Sequence, residues 1–134
     1  MSLQNKIDTF LAGQRFAVVG ASQNREKYGN KVLRAYQQNK LDVVPINPTA
    51  DEVEGFLAVP NLSALATPVD GISVITPPKI TEKVVQEAVD LGIKNIWLQP
   101  GAESLAAIKL AEQNDVNLIS GGPCLLVVLR YREE

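Results

Sequence analysis

The sequence predicts an α/β fold: a parallel sheet with helices packed on both faces. Three observations point there. Short, continuously apolar runs such as Phe16-Ala17-Val18-Val19 recur along the chain, each closed by Gly, Pro or Asn. Segments with apolar residues at helical spacing lie between them. The two kinds alternate through 134 residues, the length of one ordinary domain.

The elements follow in order. Leu3, Ile7, Phe10 and Leu11 share one helical face, which predicts a short docking helix over residues 1–12. The expected strands are Phe16–Val19, closed by Gly20; Asp42–Ile46, closed by Asn47-Pro48; and Gly71–Thr76, closed by Pro77-Pro78. Asn95–Leu98 follows, closed by Gln99-Pro100-Gly101, and then Val116–Ile119, closed by Ser120-Gly121-Gly122-Pro123. Helices are expected over Lys31–Asn39, over Thr81–Leu91 with Gly92 as the stop signal, and over Glu103–Asn114. Asp51–Val69 reads as irregular, with a short helix near Leu62–Ala66, and Leu125–Tyr131 fits either a last strand or a short helix. Trp97 is expected in the core, and Asp70 at the turn into the third strand. The whole is one doubly wound, Rossmann-like domain over residues 1–134, with five mainly parallel strands in the order 3-2-1-4-5.

Composition narrows the function. Apolar residues make up 46% and charged residues 21%, as in a globular protein. The formal net charge is -2 and no basic run occurs, which speaks against nucleic acid. The polar N-terminus reads as no signal peptide, and no apolar run reaches membrane-spanning length. A lone cysteine, Cys124, forms no internal disulfide and suits a cytoplasmic, reducing compartment. There is no histidine, so no Ser-His-Asp triad, His-ligated zinc or phosphohistidine is available, and no metal site is expected.

Ligands in such sheets sit beyond the carboxyl ends of the strands. Gly20-Ala21-Ser22 is the first candidate. Gly20 permits a tight turn, the following N–H groups and the next helix N-terminus favour an anion, and Ser22 adds a hydroxyl. Arg25, Lys27 and Lys31 stand close enough in sequence to neutralise phosphates. The turn is not G-x-G-x-x-G, because Ser22 and Arg25 replace its second and third glycines. Asn47-Pro48 ends the second strand, where NAD sites carry an acid, and this suits a nucleotide with a phosphorylated ribose. Thr76-Pro77-Pro78 offers a rigid apolar wall, and Gln99 a side-chain amide. Each of these also has a plain structural reading as a strand terminator or a solvated charge.

The ordered set Val19-Gly20-Ala21-Ser22, Lys27-Tyr28-Gly29-Asn30-Lys31-Val32, Val44-Pro45-Ile46-Asn47-Pro48, Pro68-Val69-Asp70, Thr76-Pro77-Pro78 and Gly92 to Gly101 resembles the CoA-binding domain family. These are small stand-alone relatives of the N-terminal domain of the succinyl-CoA synthetase alpha subunit. The resemblance spans residues 10–124. It implies a Rossmann-type fold with CoA across the strand ends. Gly20, Ala21 and Ser22 would hold the diphosphate, with Arg25, Lys27 and Lys31 near the phosphates. Asn47 and Pro48 would flank the adenosine, opposite Thr76, Pro77 and Pro78, and Gln99 would lie near the pantetheine. Two departures stand out. The chain lacks the synthetases' phosphohistidine domain, so ligase activity is not implied. Gly121-Gly122-Pro123-Cys124 replaces the Asp-Arg-Cys-like segment of many stand-alone relatives. Cys124 reads as a thiol near the CoA sulfur or as a buried structural cysteine.

The leading expectation is a protein that binds CoA or an acyl-CoA without catalysing a reaction, alone, as a homodimer, or beside a larger enzyme. The alternatives are an NAD(P)-dependent enzyme using the same crevice and a protein-interaction module with a vestigial pocket.

Overall fold

The structure, a computed structural model, describes residues 2–133. Met1 and Glu134, which complete the expected 1–134 span, lie outside the described residues. Five helices and seven strands follow one another as α1 (Leu3–Leu11), β1 (Arg15–Val19), α2 (Tyr28–Gln38), β2 (Asp42–Ile46), β3 (Glu52–Val53), β4 (Phe56–Leu57), β5 (Gly71–Val74), α3 (Pro78–Asp90), β6 (Asn95–Leu98), α4 (Leu105–Gln113), β7 (Asn117–Ile119) and α5 (Leu125–Val128) among the described residues. A 3-10 turn, Leu62–Ala64, precedes β5.

Five strands form one parallel sheet in the order β2-β1-β5-β6-β7, and β3 and β4 form a separate antiparallel hairpin. The alternating side chains of β1 divide the core. Phe16 and Val18 face α1, α2 and α5, where Phe10, Leu33, Tyr36, Trp97 and Leu125 are buried with them. Ala17 and Val19 face α3 and α4, with Ile72, Val85, Ile96 and Ala111. Both faces are covered, which is why the strands read as unbroken apolar runs. Trp97 is fully buried; its ring meets Phe10 edge-on at 5.3 Å and its Nε1 donates to the Pro123 carbonyl at 3.1 Å.

The strand order corrects the expected 3-2-1-4-5. The third long strand, β5, pairs with β1 instead of flanking β2, so the order by rank is 2-1-3-4-5. Pro45 is the physical reason. It lies inside β2 opposite Val18 and has no N–H to give to a second neighbour, so β2 belongs at an edge. That edge is blunted by the chain around Val59, whose N–H donates to the Pro45 carbonyl at 3.1 Å and whose carbonyl accepts from the Asn47 N–H at 2.9 Å.

The stretch expected to be irregular holds the β3–β4 hairpin. Its two central residues, Glu54 and Gly55, have φ of +49° and +84°, the left-handed pair of a two-residue hairpin turn. α2 starts three residues before Lys31. α3 starts at Pro78, whose missing N–H costs nothing in a first helical turn. The ambiguous C-terminal segment is helical. Asp70 binds across the turn into β5, its Oδ2 accepting from the N–H groups of Gln14 at 2.7 Å and Arg15 at 3.0 Å.

Candidate functional site

With this strand order the winding of the chain reverses between β1 and β5, and a crevice opens there beyond their carboxyl ends. Gly20 follows β1 with φ +96°. A Cβ on it would run into the Ile75 carbonyl, so only glycine lets the turn pass so close to the β5 exit. Gly29, in the first turn of α2, likewise presses on the Gly20 carbonyl and the Ala21 Cα. The α2 N-terminus is thereby held against the turn, and the N-cap residue, Lys27, makes no side-chain cap bond. The N–H groups of Ala21, Ser22, Tyr28 and Gly29 have no acceptor among the described residues. Free donors at a helix N-terminus beside a glycine turn form a cradle for an anion.

Two cavities share this place. One, of about 390 Å³, is lined by Gly20, Ser22, Glu26, Lys27, Tyr28, Gly29 and Ile75. The other, of about 300 Å³, is lined by Tyr28, Ile75, Gln99, Pro100 and Cys124. Tyr28 and Ile75 belong to both, so a polar, glycine-lined end runs into a mostly apolar end. Gln99, 3% exposed, is fixed in the second: its Oε1 accepts from the Leu125 N–H at 2.8 Å, and its Nε2 donates to Cys124 Sγ at 3.5 Å.

Of the residues singled out from sequence, the structure brings Gly20, Ser22, Lys27, Gln99 and the half-buried Cys124 to this crevice. Ala21 is buried beneath the turn, and its carbonyl accepts from Asn47 Nδ2 at 2.9 Å. Asn47 Oδ1 accepts from the N–H groups of Thr49 and Ala50, both at 2.8 Å. The Asn47 side chain therefore ties β2 to the cradle from below. Pro48 is exposed at the end of β2, and Pro77 and Pro78 are exposed at the start of α3. Thr76 lies beside Gly20, and its hydroxyl pairs with that of Thr81 at 2.7 Å.

Two basic residues turn elsewhere. Arg25 Nε lies 3.4 Å from Glu54 Oε2. Lys31 Nζ lies 3.7 Å from Glu133 Oε2 and 5.9 Å from the centre of the Tyr28 ring.

Sequence reasoning gave no site role to Tyr28, Ile75 or Pro100. Tyr28 had a signal: a large aromatic side chain at a glycine-bearing helix start, 62% exposed in the fold. Ile75 carried none, because an isoleucine at a strand end reads as core.

The displaced pKa values lie away from the crevice. Burial raises the Tyr36 phenol above its ordinary range, only partly offset by its bond to Ser73. Glu133 is held below the usual carboxylate range, first by the Tyr131 hydroxyl and then by Lys31 and Arg34. Among the described residues no cluster of potential metal ligands occurs, and no helix is long and apolar enough to cross a membrane.

The comparisons with known proteins bear on the fold and the family. A conserved hypothetical protein from Pyrococcus furiosus superposes with a TM-score of 0.81 at 38% identity, over 86% of this chain and 98% of that one. The uncharacterized protein YneT of Bacillus subtilis is 27% identical over 106 residues, which is 79% of this chain and 78% of its own. The acetate–CoA ligase (ADP-forming) I of Archaeoglobus fulgidus is 26% identical over 81% of this chain, but the match spans only 17% of the ligase. The profile of the CoA binding domain matches residues 14–130. With a match over nearly its whole length, the chain belongs to the CoA-binding domain family.

Proposed function

We propose that this protein binds CoA or a CoA ester in the crevice between β1 and β5 and does not itself catalyse a reaction. The observation that carries the reading is the packing of Gly29 on Gly20, which leaves the uncapped N-terminus of α2 facing a glycine turn. The CoA diphosphate sits on the N–H groups of that cradle, with Ser22 and Lys27 at its side. The adenosine part lies along Asn47-Pro48 and Thr76-Pro77-Pro78. The pantetheine runs past Tyr28 and Ile75 into the apolar cavity, and its thiol end comes to Gln99 and Cys124. The family match and the mixed polar and apolar lining support this assignment. The absence of histidine from the chain supports a binding role.

The protein acts in the cytoplasm as one domain of residues 1–134, beside a larger enzyme or as a homodimer. Calorimetric titration tests the reading. CoA is expected to bind saturably, more weakly without its 3'-phosphate, and NAD not at all. Saturable NAD binding tighter than CoA would replace this reading with that of a nicotinamide enzyme. No heat from any of the three would leave a vestigial pocket.

A further inference from the structure

A separate cavity of about 280 Å³ shares no lining residue with the crevice. It is lined by Arg25, Arg34, Gln37, Gln38, Glu54 and Arg132, so three guanidiniums face one carboxylate in a chain whose net charge is negative.

Arg34 is the centre of it. The residue is only 4% exposed. Its Nε donates to Asn30 Oδ1 at 2.7 Å, and its Nη2 donates to the Arg25 carbonyl at 3.0 Å. The Tyr131 ring packs against the guanidinium at 5.4 Å. Its Nη1 is buried with no partner among the described residues. A permanently charged guanidinium with an unpaired buried nitrogen is costly unless something satisfies it.

Neither nearby carboxylate does so. Glu133 Oε1 stands 3.7 Å from Nη2, beyond hydrogen-bond reach, and its side chain is 64% exposed. Glu54 Oε2 is already engaged by Asn30 Nδ2 at 3.0 Å and lies 3.4 Å from Arg25. The rest of the wall is held in place. Gln38 grips the C-terminal segment through Arg132, its Nε2 donating to the Arg132 carbonyl at 2.7 Å and its Oε1 accepting from the Arg132 N–H at 2.9 Å. That keeps the third arginine at the rim.

We propose that this cavity binds a small oxyanion of the phosphate class. The anion accepts from the Arg25 and Arg132 guanidiniums, whose forked donors match phosphate oxygens, and from Arg34 Nη1 once the exposed side chains around it shift, since that nitrogen has no open surface in the resting fold. Glu133 occupies the approach to Arg34 and competes with it. The site stands apart from the CoA crevice, so it holds whether or not CoA binds there.

Titration of inorganic phosphate into the full chain, read by 1H–15N correlation spectra that include the arginine Nε–Hε signals, tests this. Saturable shifts at Arg34 and Arg25 are expected. The double variant Arg25→Gln/Arg132→Gln, at two exposed positions that leave the buried Arg34 in place, is expected to bind phosphate about a hundredfold more weakly, since each lost charge-assisted bond is worth about tenfold or more. Glu133→Gln is expected to bind it more tightly. No saturable shift in the wild type, shifts confined to the amides of Ala21 and Ser22, or unchanged affinity in the double variant would each overturn the proposal.

Discussion

Gly29 in α2 lies against the carbonyl of Gly20 at the end of β1, so closely that a Cβ would collide with backbone atoms. The φ of Gly29 is outside the left-handed range, so glycine is needed there for contact alone. This contact sets how near the α2 N-terminus comes to the turn. Gly29→Ala is therefore expected to push α2 outward, to cost about 1–3 kcal/mol of stability as overpacking does, and to abolish CoA binding. Urea denaturation and calorimetry on the one variant check both effects.

The two ends of the crevice are expected to respond to different ligands. Lys27→Ala should weaken ADP and CoA alike, because Lys27 lines the polar cavity that takes the diphosphate. A Kd for ADP equal to the wild-type value would remove Lys27 from that role.

Gln99→Leu should weaken CoA while leaving ADP unchanged, since ADP has no pantetheine to reach the cavity beside Cys124. The same change leaves the Leu125 N–H without its 2.8 Å acceptor, which is expected to cost about 1–3 kcal/mol. Parallel titrations with the two nucleotides, and a melting curve for each protein, separate the binding effect from the structural one.

Tyr36 and Ser73 form a buried pair, hydroxyl to hydroxyl, at 2.7 Å. Tyr36→Phe should cost about 1–2 kcal/mol by orphaning the Ser73 hydroxyl, and adding Ser73→Ala should recover part of it. The pair also predicts a pH dependence. Burial raises the folded phenol above its ordinary value of 10.0. The folded state then keeps its proton after the unfolded chain has lost it. Stability from this group is complete below pH 10 and falls above it, by about 1.4 kcal/mol per pH unit. Denaturation series from pH 9 to 11 should slope less steeply for Tyr36→Phe than for the wild type. Equal slopes would show that Tyr36 does not carry the effect.

Much of the fold was legible in the sequence because its signals are local. Each long strand is a short apolar run stopped by Gly, Pro or Asn, and each long helix shows its apolar face in one window of residues. The Gly20-Ala21-Ser22 turn was legible for the same reason, and Gln99 followed from its place at a strand end. Two further features carry local signals. Pro45 marks β2 as an edge strand, and Glu54-Gly55 between Val53 and Phe56 marks a hairpin. Read for what proline cannot donate, Pro45 argues against the order 3-2-1-4-5.

The sequence by itself determined the element types, the two-sided burial of the sheet and the position of the glycine cradle, because backbone preference and hydrophobic periodicity act over a few residues. Only the tertiary structure decided which basic side chains face the crevice. Arg25, Lys27 and Lys31 are near neighbours in the chain, yet Lys27 lines the cradle, Arg25 turns to Glu54 and Lys31 to Glu133. The arginine cavity draws on residues as far apart as Arg25 and Arg132. Such choices depend on where distant carboxylates and carbonyls come to lie, and chain closure alone brings those groups within the few ångströms over which they act.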